Sequence, residues 1–186
     1  MNSNDGQRHV RPASESDIDY IWAIDSSATK KFGSIPALAD LAASEESPEK
    51  FESWLNQGRV YLVEERDAPV GFVAAHEVND VLHINEIGVH EDHQGKGIGA
   101  LLLQAIFEWG QDIARQNNRD VARVSLTTYA DVAWNGPWYK KHGFRKVEGE
   151  LVGPWHAEEA KQDVQNLARP GYRRCFMLWE KKVVGG

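Results

Sequence analysis

The sequence predicts a mixed α/β fold of the α+β class, with helices flanking a largely antiparallel central sheet of about six to seven strands. Hydrophobic residues recur at helical spacing near the N-terminus and again after residue 98, which indicates amphipathic helices. Between residues 60 and 89, β-rich runs are separated only by turn residues. This short spacing predicts an antiparallel meander in the sheet.

The N-terminal part of the chain is predicted to form one strand followed by helices. A short strand at residues 9–11 precedes Ser14 and Asp17, whose spacing is that of a capping box. We therefore expect a helix that runs to about Lys31. Two short helices are predicted at residues 36–43 and at residues 48–57, where Ser47 and Pro48 open the second of them.

The rest of the chain alternates between strands and helices. The central strands are predicted at residues 60–65, 69–78 and 81–89, and a long helix begins at Ile98. Apolar residues form one stripe along this helix: Ile98, Leu101, Leu102, Ala105, Ile106, Trp109 and Ile113. The predicted fold is completed by strands at residues 121–128, 144–148 and 172–180, a short helix at 137–141 and a surface helix at 156–168.

The composition favours a single compact domain over residues 1–186, with residues 1–7 as a flexible tail. Of the 186 residues, 41% are hydrophobic, which suits a substantial core. The polar N-terminus and the absence of a membrane-length apolar run predict a cytoplasmic protein without a membrane partner. The single Cys excludes an internal disulfide framework. The net charge of −7 disfavours nucleic-acid binding and slightly favours a cationic partner, and a homodimer is left open.

The most informative segment is a glycine-rich loop between the last central strand and the long helix. Its sequence is HEDHQGKGIG, with glycines at positions 95, 97 and 99. Alternating glycines leave backbone N–H groups uncovered, and the helix that starts in the same loop adds unpaired donors and the positive end of its dipole. The loop therefore predicts a binding site for a phosphate or pyrophosphate group.

Two common phosphate-binding motifs do not fit this loop. A P-loop needs Ser or Thr after its Gly-Lys pair to hold magnesium, whereas Gly97 follows Lys96 here. The dinucleotide fingerprint is matched literally by Gly95, Gly97 and Ala100, but it requires a strand that runs directly into the first glycine. Instead, the polar residues 90–94 intervene. What remains is the pattern QxxGxG.

The pattern QxxGxG, between a strand and an Ile- and Leu-rich helix, resembles the pyrophosphate loop of the GNAT superfamily of acetyl-CoA-dependent N-acetyltransferases. The resemblance implies a GNAT-like sheet that splays at the cofactor site, with acetyl-CoA as cosubstrate. It also implies the residues that bind acetyl-CoA: Gly88, Val89, Gln94, Gly95, Lys96, Gly97, Ile98 and Gly99. Of these, Gly88 either permits close approach of the pantetheine arm or marks a bulge.

A second segment, from Leu126 to Val147, is similar to another part of the same family. GNAT members carry a short helix with a Tyr, followed by a Gly-Phe pair that begins the next strand, and Tyr139 and Gly143-Phe144 match this pattern. Many members also have an Asn seven positions before the Tyr that contacts pantetheine, where this chain has Val132. We transfer this role to Asn135, four positions before Tyr139.

Acetyl transfer to an amine needs a base for the amine, a donor to the thioester carbonyl and an acid for the departing thiolate. Glu86 is the candidate base, because it lies near the end of the strand before the loop, where GNAT members often place a carboxylate. The family pattern implies Tyr139 as the acid and the Val89 N–H as the carbonyl donor. The structural alternatives are a strand Glu held by a neighbouring donor and a Tyr that packs its ring in the core.

The resemblance implies direct transfer in a ternary complex, and we expect the acceptor to be a primary amine of a small molecule. Asp19, Asp25 and Glu86 hint at a cationic amine. Protein N-termini and lysine side chains stay open as acceptors, and so do two functions without transfer, an acyl-CoA sensor and a nucleotide-binding regulatory module. Three aromatic residues could line an acceptor pocket: Trp134, Trp138 and Trp155.

Two further sets of reactive side chains favour structural explanations. His90 and His93 could ligate zinc, but the sequence suggests no third ligand, so we predict a solvated loop and no metal site. Cys175 could accept an acetyl group, yet it lies in a predicted strand without a neighbouring base. We therefore expect Cys175 to be a small core residue.

Overall fold

The protein is described by a computed structural model over residues 8–43 and 47–183. The predicted flexible tail at residues 1–7 lies outside these described residues. The strands are β1 (Arg8–Pro12), β2 (Arg59–Glu65), β3 (Ala68–Val78), β4 (Val81–Val89), β5 (Val121–Tyr129), β6 (Arg145–Lys146) and β7 (Arg174–Lys182). They form a sheet in the order β1-β2-β3-β4-β5-β7-β6, in which β4 and β5 are parallel. Antiparallel pairing links β1 to β2, β2 to β3, β5 to β7 and β6 to β7, which confirms the predicted fold class.

The helices of the described residues are α1 (Ile18–Thr29), α2 (Ala39–Ala42), α3 (Pro48–Gln57), α4 (Ile98–Gln116), α5 (Gly136–Lys141) and α6 (Pro154–Leu167). Helix α1 ends earlier than predicted, and 3-10 turns continue over Lys30–Ser34. Strand β6 is also shorter than predicted. The Phe144 N–H still bonds the Tyr139 carbonyl at the end of α5, and the chain turns again at Gly149–Leu151.

The described residues divide into two compact units. The first unit contains the residues up to His76 together with Asn85–Ile106. The second unit contains Glu77–Ile84 together with the residues from Phe107 onwards. Strand β4 and helix α4 each contribute residues to both units. The single domain over residues 1–186 stays a prediction.

In the first unit, helices α1 and α3 pack against strands β2 and β3. The hydrophobic cluster between them consists of Ile21, Ile24, Phe51, Trp54, Val60, Leu62, Phe72 and Ala74. Within the cluster, the Trp54 ring is stacked on Phe72 with 6.1 Å between ring centroids and meets Phe51 edge-on at 5.3 Å. The cluster fixes α1 and α3 against the strands that lead to the glycine loop.

The predicted capping box before α1 is present. The Ser14 N–H donates to Asp17 Oδ2 at 2.8 Å, and a 3-10 turn over Glu15–Asp17 leads into the helix. Arg11 of β1 donates two hydrogen bonds to the same carboxylate, at 2.9 and 2.8 Å. These bonds, those from Arg11 above all, lower the pKa of Asp17 from its ordinary value of 3.8 to about 2. The carboxylate is therefore ionised throughout the neutral range.

In the second unit, helix α6 packs on the sheet through polar residues. Asp163 accepts two hydrogen bonds from the Arg174 guanidinium, at 2.7 and 2.6 Å, and one from the Thr127 hydroxyl at 2.9 Å. The Arg174 and Asp163 side chains are only 8% and 6% exposed, and His156 is fully buried. The surface helix predicted at residues 156–168 is therefore present, and its two buried residues, His156 and Asp163, form the polar face that packs on the sheet.

Strand β5 is held to α6 at a second place. The Tyr129 hydroxyl donates to the Leu167 carbonyl at 2.7 Å, and the Arg174 guanidinium lies 4.4 Å from the centre of the Tyr129 ring. The face of β5 that carries Thr127 and Tyr129 is thus covered by a helix with several charge-assisted and aromatic contacts.

Candidate active site

The glycine loop connects the end of β4 to the start of α4. Gly95 and Gly97 have φ angles of 73° and 84°, in the left-handed region that favours glycine. A Cβ atom added at either position would meet no atom of the described residues within 4 Å. The backbone conformation, rather than crowding, therefore requires glycine here, and the space above both residues is open.

The first turn of α4 supplies the donors of this loop. The Gly97 carbonyl accepts hydrogen bonds from the N–H groups of Ala100 and Leu101, at 3.1 and 3.2 Å, so the helical ladder starts there. The backbone N–H groups that precede Ala100 in the first turn of α4 have no preceding helical turn whose carbonyls could accept their hydrogen bonds. Together with the positive end of the helix dipole, they form an arrangement that can bind an anion.

Two polar side chains of the motif bond within the loop itself. Gln94 Nε2 donates to the Val89 carbonyl at 3.0 Å, which closes the loop onto the end of β4. Lys96 Nζ donates to the Asp92 carbonyl at 2.8 Å. In this structure both side chains therefore stabilise the conformation of the loop.

The beginning of the loop is tied to its surroundings within the first unit. The His90 N–H donates to the Val70 carbonyl at 3.0 Å, and the Glu91 N–H donates to the hydroxyl of buried Ser27 at 3.0 Å. Glu91 also pairs with Lys30 at 2.6 Å. Backbone bonds to β3 and α1 thus fix the place where the loop leaves the sheet.

Gly88 has a packing role that the sequence did not indicate. A Cβ atom at this position would lie 2.7 Å from Cε1 of Phe72, far inside van der Waals contact. The Phe72 ring belongs to the hydrophobic cluster of the first unit. In this structure the glycine therefore makes room for an aromatic ring, and its role toward the pantetheine arm stays a prediction.

Glu86 lies half-buried on β4, among other charged groups. Its Oε1 accepts the Ile87 N–H at 3.2 Å, and its charge acts on the ammonium group of Lys31. Burial lowers the pKa of Lys31, and the Glu86 carboxylate opposes that shift. Asp25 is 6% exposed, whereas Asp19 is exposed to solvent. Of the three acidic residues predicted to attract a cationic amine, Glu86 therefore interacts with a cation of the protein.

In the second unit, Tyr139 lies on α5 with 7% of its surface exposed. Its ring meets the edges of Trp138 at 5.0 Å and Phe144 at 5.5 Å, measured between ring centroids. Val132, seven positions earlier, is buried in the core. The sequence departs from the family pattern at Val132, and that position holds an apolar core residue.

Asn135 is the N-cap residue of helix α5, and among the described residues only one of its two side-chain polar atoms has a hydrogen-bond partner. Its Nδ2 donates to the Thr128 hydroxyl at 2.8 Å. Its Oδ1 is buried and has no hydrogen-bond partner among the described residues. A buried amide oxygen without a donor is costly, which makes Asn135 able to accept a hydrogen bond from a ligand.

Strands β4 and β5 pair over a short length within the second unit. Their parallel register joins Leu82 to Val124 and His83 to Ser125. His83 Nδ1 lies 3.0 Å from the Ser125 hydroxyl, and both residues are buried. The sequence does not indicate this pair, because 42 residues separate its members and no motif connects them.

The predicted site residues fall into the two units as follows. Glu86, Gly88, Val89 and the loop residues 94–99 belong to the first unit, and Asn135 and Tyr139 belong to the second. The aromatic residues considered for an acceptor pocket also lie in the second unit. Trp138 contacts Tyr139, and Trp155 of α6 lies 5.1 Å from the His83 ring.

The side chains considered as alternatives have structural partners. His93 Nδ1 lies 2.7 Å from Glu65 Oε2, and among the described residues no three His, Cys, Asp or Glu side chains form a group suited to a metal. Cys175 is buried, and burial raises the pKa of its thiol. None of the helices in the described part of the chain combines the length and apolar character needed to cross a bilayer.

Comparison with known proteins agrees with this geometry. A family model for an acetyltransferase (GNAT) domain matches residues 56–146, which include the glycine loop and Tyr139. The fold is similar to that of the ribosomal-protein-S18-alanine N-acetyltransferase from Escherichia coli, with 15% identity, a TM-score of 0.64 and coverage of 96% of this chain and 97% of that one. Residues 56–146 therefore belong to a GNAT acetyltransferase domain, as the two sequence motifs predicted.

Two other solved structures contain coenzyme A. The PaiA N-acetyltransferase from Thermoplasma acidophilum, in complex with coenzyme A, has 13% identity and a TM-score of 0.66, with 95% of this chain and 99% of that chain covered. The N-acetylglutamate synthase from Neisseria gonorrhoeae, complexed with coenzyme A and N-acetyl-glutamate, has 16% identity and a TM-score of 0.66. There, 95% of this chain matches 36% of a longer one.

Proposed function

We propose that this protein transfers an acetyl group from acetyl-CoA to a primary amine of a small molecule, directly in a ternary complex. The observation that carries the proposal is the glycine loop at the start of α4, where Gly95 and Gly97 hold left-handed φ angles under open space. Its N–H groups are suited to the pyrophosphate of coenzyme A. The coenzyme A in related structures supports the same donor.

The pantetheine arm would be held by side-chain and backbone groups further along. Asn135 offers a buried Oδ1 that accepts no hydrogen bond from the described residues. Since pantetheine contains two amide N–H groups, this oxygen fits one of them chemically.

In the reaction, the amine nitrogen forms a bond to the acetyl carbonyl carbon, and the bond from that carbon to sulfur breaks. The ammonium form of an aliphatic amine, with a pKa near ~10.4, must first lose a proton. We assign this proton to the Glu86 carboxylate, the stabilisation of the carbonyl oxygen to the Val89 N–H, and the proton given to the departing thiolate to the Tyr139 hydroxyl.

A small acceptor is favoured by helix α6. A polypeptide acceptor needs an open groove, but the Thr127 and Tyr129 face of β5 is covered by a helix that a buried ion pair holds in place. The Lys31 ammonium beside Glu86 also makes the first unit less suited to a purely cationic acceptor. An acceptor amine that also carries a carboxylate or a hydroxyl group would complement both the Glu86 carboxylate and the Lys31 ammonium.

Calorimetric titration with coenzyme A is the first test. We expect both coenzyme A and acetyl-CoA to bind saturably. We expect neither ATP nor NAD to displace them. Absence of coenzyme A binding would overturn the proposal, and preference for ATP or NAD would instead favour the nucleotide-binding module.

A screen for coenzyme A release then tests the acceptor. The panel comprises amino acids, polyamines, amino sugars and short peptides with free N-termini or lysines, each with acetyl-CoA as donor. We expect release with small amines. Release with peptides alone would favour a protein acetyltransferase, and tight coenzyme A binding without release across the panel would favour an acyl-CoA sensor.

A further inference from the structure

The glycine loop is held from outside by a residue of the first strand. One terminal nitrogen of Arg8 donates to the Lys96 carbonyl at 2.5 Å, across 88 positions of the sequence. The other terminal nitrogen contacts Glu65 Oε1 at 3.4 Å. Arg8 thus lies between a strand carboxylate and a carbonyl in the middle of the QxxGxG motif.

The position of the Lys96 carbonyl determines the direction of a cofactor-binding donor. In a trans peptide the carbonyl and the following N–H point in opposite directions, and the described residues contain no cis peptide bond. A cation that holds the Lys96 carbonyl on one side of the loop therefore turns the Gly97 N–H to the opposite side. Because Gly97 has no side chain and a φ angle of 84°, no side chain of its own restricts the orientation of this peptide.

Glu65 holds Arg8 and the loop together. The β1–β2 register places Arg8 directly opposite Glu65, and the other oxygen of the carboxylate lies 2.7 Å from Nδ1 of His93, in the turn that precedes the glycines. The His93 hydrogen bond and the Arg8 charge lower the pKa of Glu65. The Glu65 carboxylate therefore remains ionised at neutral pH, and it contacts both Arg8 and His93.

We propose that Arg8 is a positioning residue for the donor site, which aims the Gly97 N–H at the pyrophosphate of coenzyme A, and that Glu65 holds Arg8 in place. The proposal rests on the function proposed above. It concerns the pyrophosphate end of the cosubstrate only, because the contacts of Arg8 are to the loop and to Glu65.

The test compares Arg8→Met with the native protein, using coenzyme A and pantetheine as separate probes. The substitution removes both donors and keeps the length of the side chain. We expect the Kd for coenzyme A to rise about tenfold, the size of effect that loss of one charge-assisted hydrogen bond produces. The Kd for pantetheine, measured by ligand-observed NMR, should stay unchanged since pantetheine has no pyrophosphate.

Two further variants separate positioning from general stability. Arg8→Lys keeps a cation that can reach one carbonyl, so it should restore most of the coenzyme A affinity. Arg11→Met removes the same kind of side chain from the same strand, where Arg11 bonds Asp17 and Glu64 instead of the loop. It should lower the melting temperature and leave both Kd values unchanged.

Glu65→Gln provides an independent variant if Arg8→Met does not fold. It leaves a neutral acceptor for Arg8 and should raise the Kd for coenzyme A about threefold, with the Kd for pantetheine unchanged. Equal weakening of both probes in either variant would show a merely structural role and overturn the inference. Unchanged coenzyme A affinity in the variants would overturn it while the proposed function stood, whereas a native protein that does not bind coenzyme A would overturn both.

Discussion

The two compact units differ in the kind of chemical group that they offer to a ligand. The first unit presents backbone N–H groups of a glycine loop, and the polar side chains of the motif bond within that loop. The second unit presents side chains, with buried Tyr139 and the uncommitted Oδ1 of Asn135 on one short helix. Backbone donors suit an anion of fixed geometry, whereas side chains can supply a proton or accept one hydrogen bond.

The units also differ in how their parts are held. Around the glycine loop the anchors are largely single hydrogen bonds, such as the one from the Glu91 N–H to Ser27. Helix α6 of the second unit depends on the buried pair of Asp163 and Arg174. A loss at the glycine loop should therefore weaken ligand affinity before stability, and a loss at helix α6 should affect stability before affinity.

The largest effect is expected for Tyr139→Phe, which tests whether the second unit supplies the proton for the thiolate. Loss of the hydroxyl should lower kcat on the order of 10²–10⁴-fold, because an unprotonated alkyl thiolate is a poor leaving group. The Kd for coenzyme A should stay the same. Steady-state kinetics with the best amine of the screen, together with calorimetry, measures both quantities.

The control for Tyr139→Phe is Tyr129→Phe, which removes a buried hydroxyl of the same unit. That hydroxyl donates to the Leu167 carbonyl, so its loss should cost about 1 kcal/mol of unfolding free energy without a change in kcat. A kcat for Tyr139→Phe equal to that of the native enzyme would remove Tyr139 from the acid role.

Asp163→Ala tests how α6 is held. It leaves the Arg174 guanidinium buried without its carboxylate, and the unfolding free energy should fall by about 3–5 kcal/mol in urea denaturation. The matched control is Asp131→Ala, which breaks the neighbouring ion pair with Arg173. That pair is exposed, with side-chain exposures of 74% for Arg173 and 38% for Asp131, so we expect little or no loss of unfolding free energy. Similar losses of unfolding free energy in Asp163→Ala and Asp131→Ala would contradict the inference that the buried pair of Asp163 and Arg174 holds α6.

Gly99→Glu tests the first unit with little disturbance of the fold. Gly99 lies inside α4, where an L-residue is tolerated, and the added carboxylate should repel the pyrophosphate. We expect the Kd for coenzyme A to rise about 100-fold, an effect near ~2.7 kcal/mol. Gln116→Glu adds the same charge at the far end of the helix and should leave the Kd unchanged. Equal Kd values for Gly99→Glu and native protein would exclude this loop as the pyrophosphate site.

The smallest effect is expected for Asp17→Asn, which removes the charge that joins Arg11 to the start of α1. The pKa of Asp17 is lowered from 3.8 to about 2, so the carboxylate stabilises the fold above pH ~4 and this contribution is lost as the pH falls toward ~2. At pH 7 the variant should lose on the order of 1–2 kcal/mol of unfolding free energy. Below pH ~4 its unfolding free energy, measured by denaturation, should fall less steeply with decreasing pH than that of the native protein. Glu15→Gln, in the same turn, should keep the native pH profile; an unchanged profile for Asp17→Asn would contradict this account.

Local patterns allowed much of the fold to be predicted. Helix α3 begins and ends at the predicted residues, since Ser47 and Pro48 mark its start and Gly58 follows its end. The capping box of Ser14 and Asp17 was also confirmed. Strand β6 was predicted too long, because its sequence does not show that the Phe144 N–H is still bonded to the Tyr139 carbonyl of α5.

Side-chain partners distant in sequence could not be predicted in the same way. The bond from Arg8 to the Lys96 carbonyl spans 88 positions, and the pair of Thr127 and Asp163 spans 36. The contact of Gly88 with the Phe72 ring also became visible only in the structure. Such contacts depend on which faces of the strands meet, and no spacing rule carries that information.

By itself, the sequence determined the family, the mixed fold and the place of the glycine loop. Turns, caps and backbone donors are made by residues close together in the chain, so their patterns are readable. Only the tertiary structure showed that Arg8 and Glu65 hold the loop and that Asp163 and Arg174 fix α6. The reason is physical: a charge is stabilised by whichever partner the folded chain brings within a few ångströms.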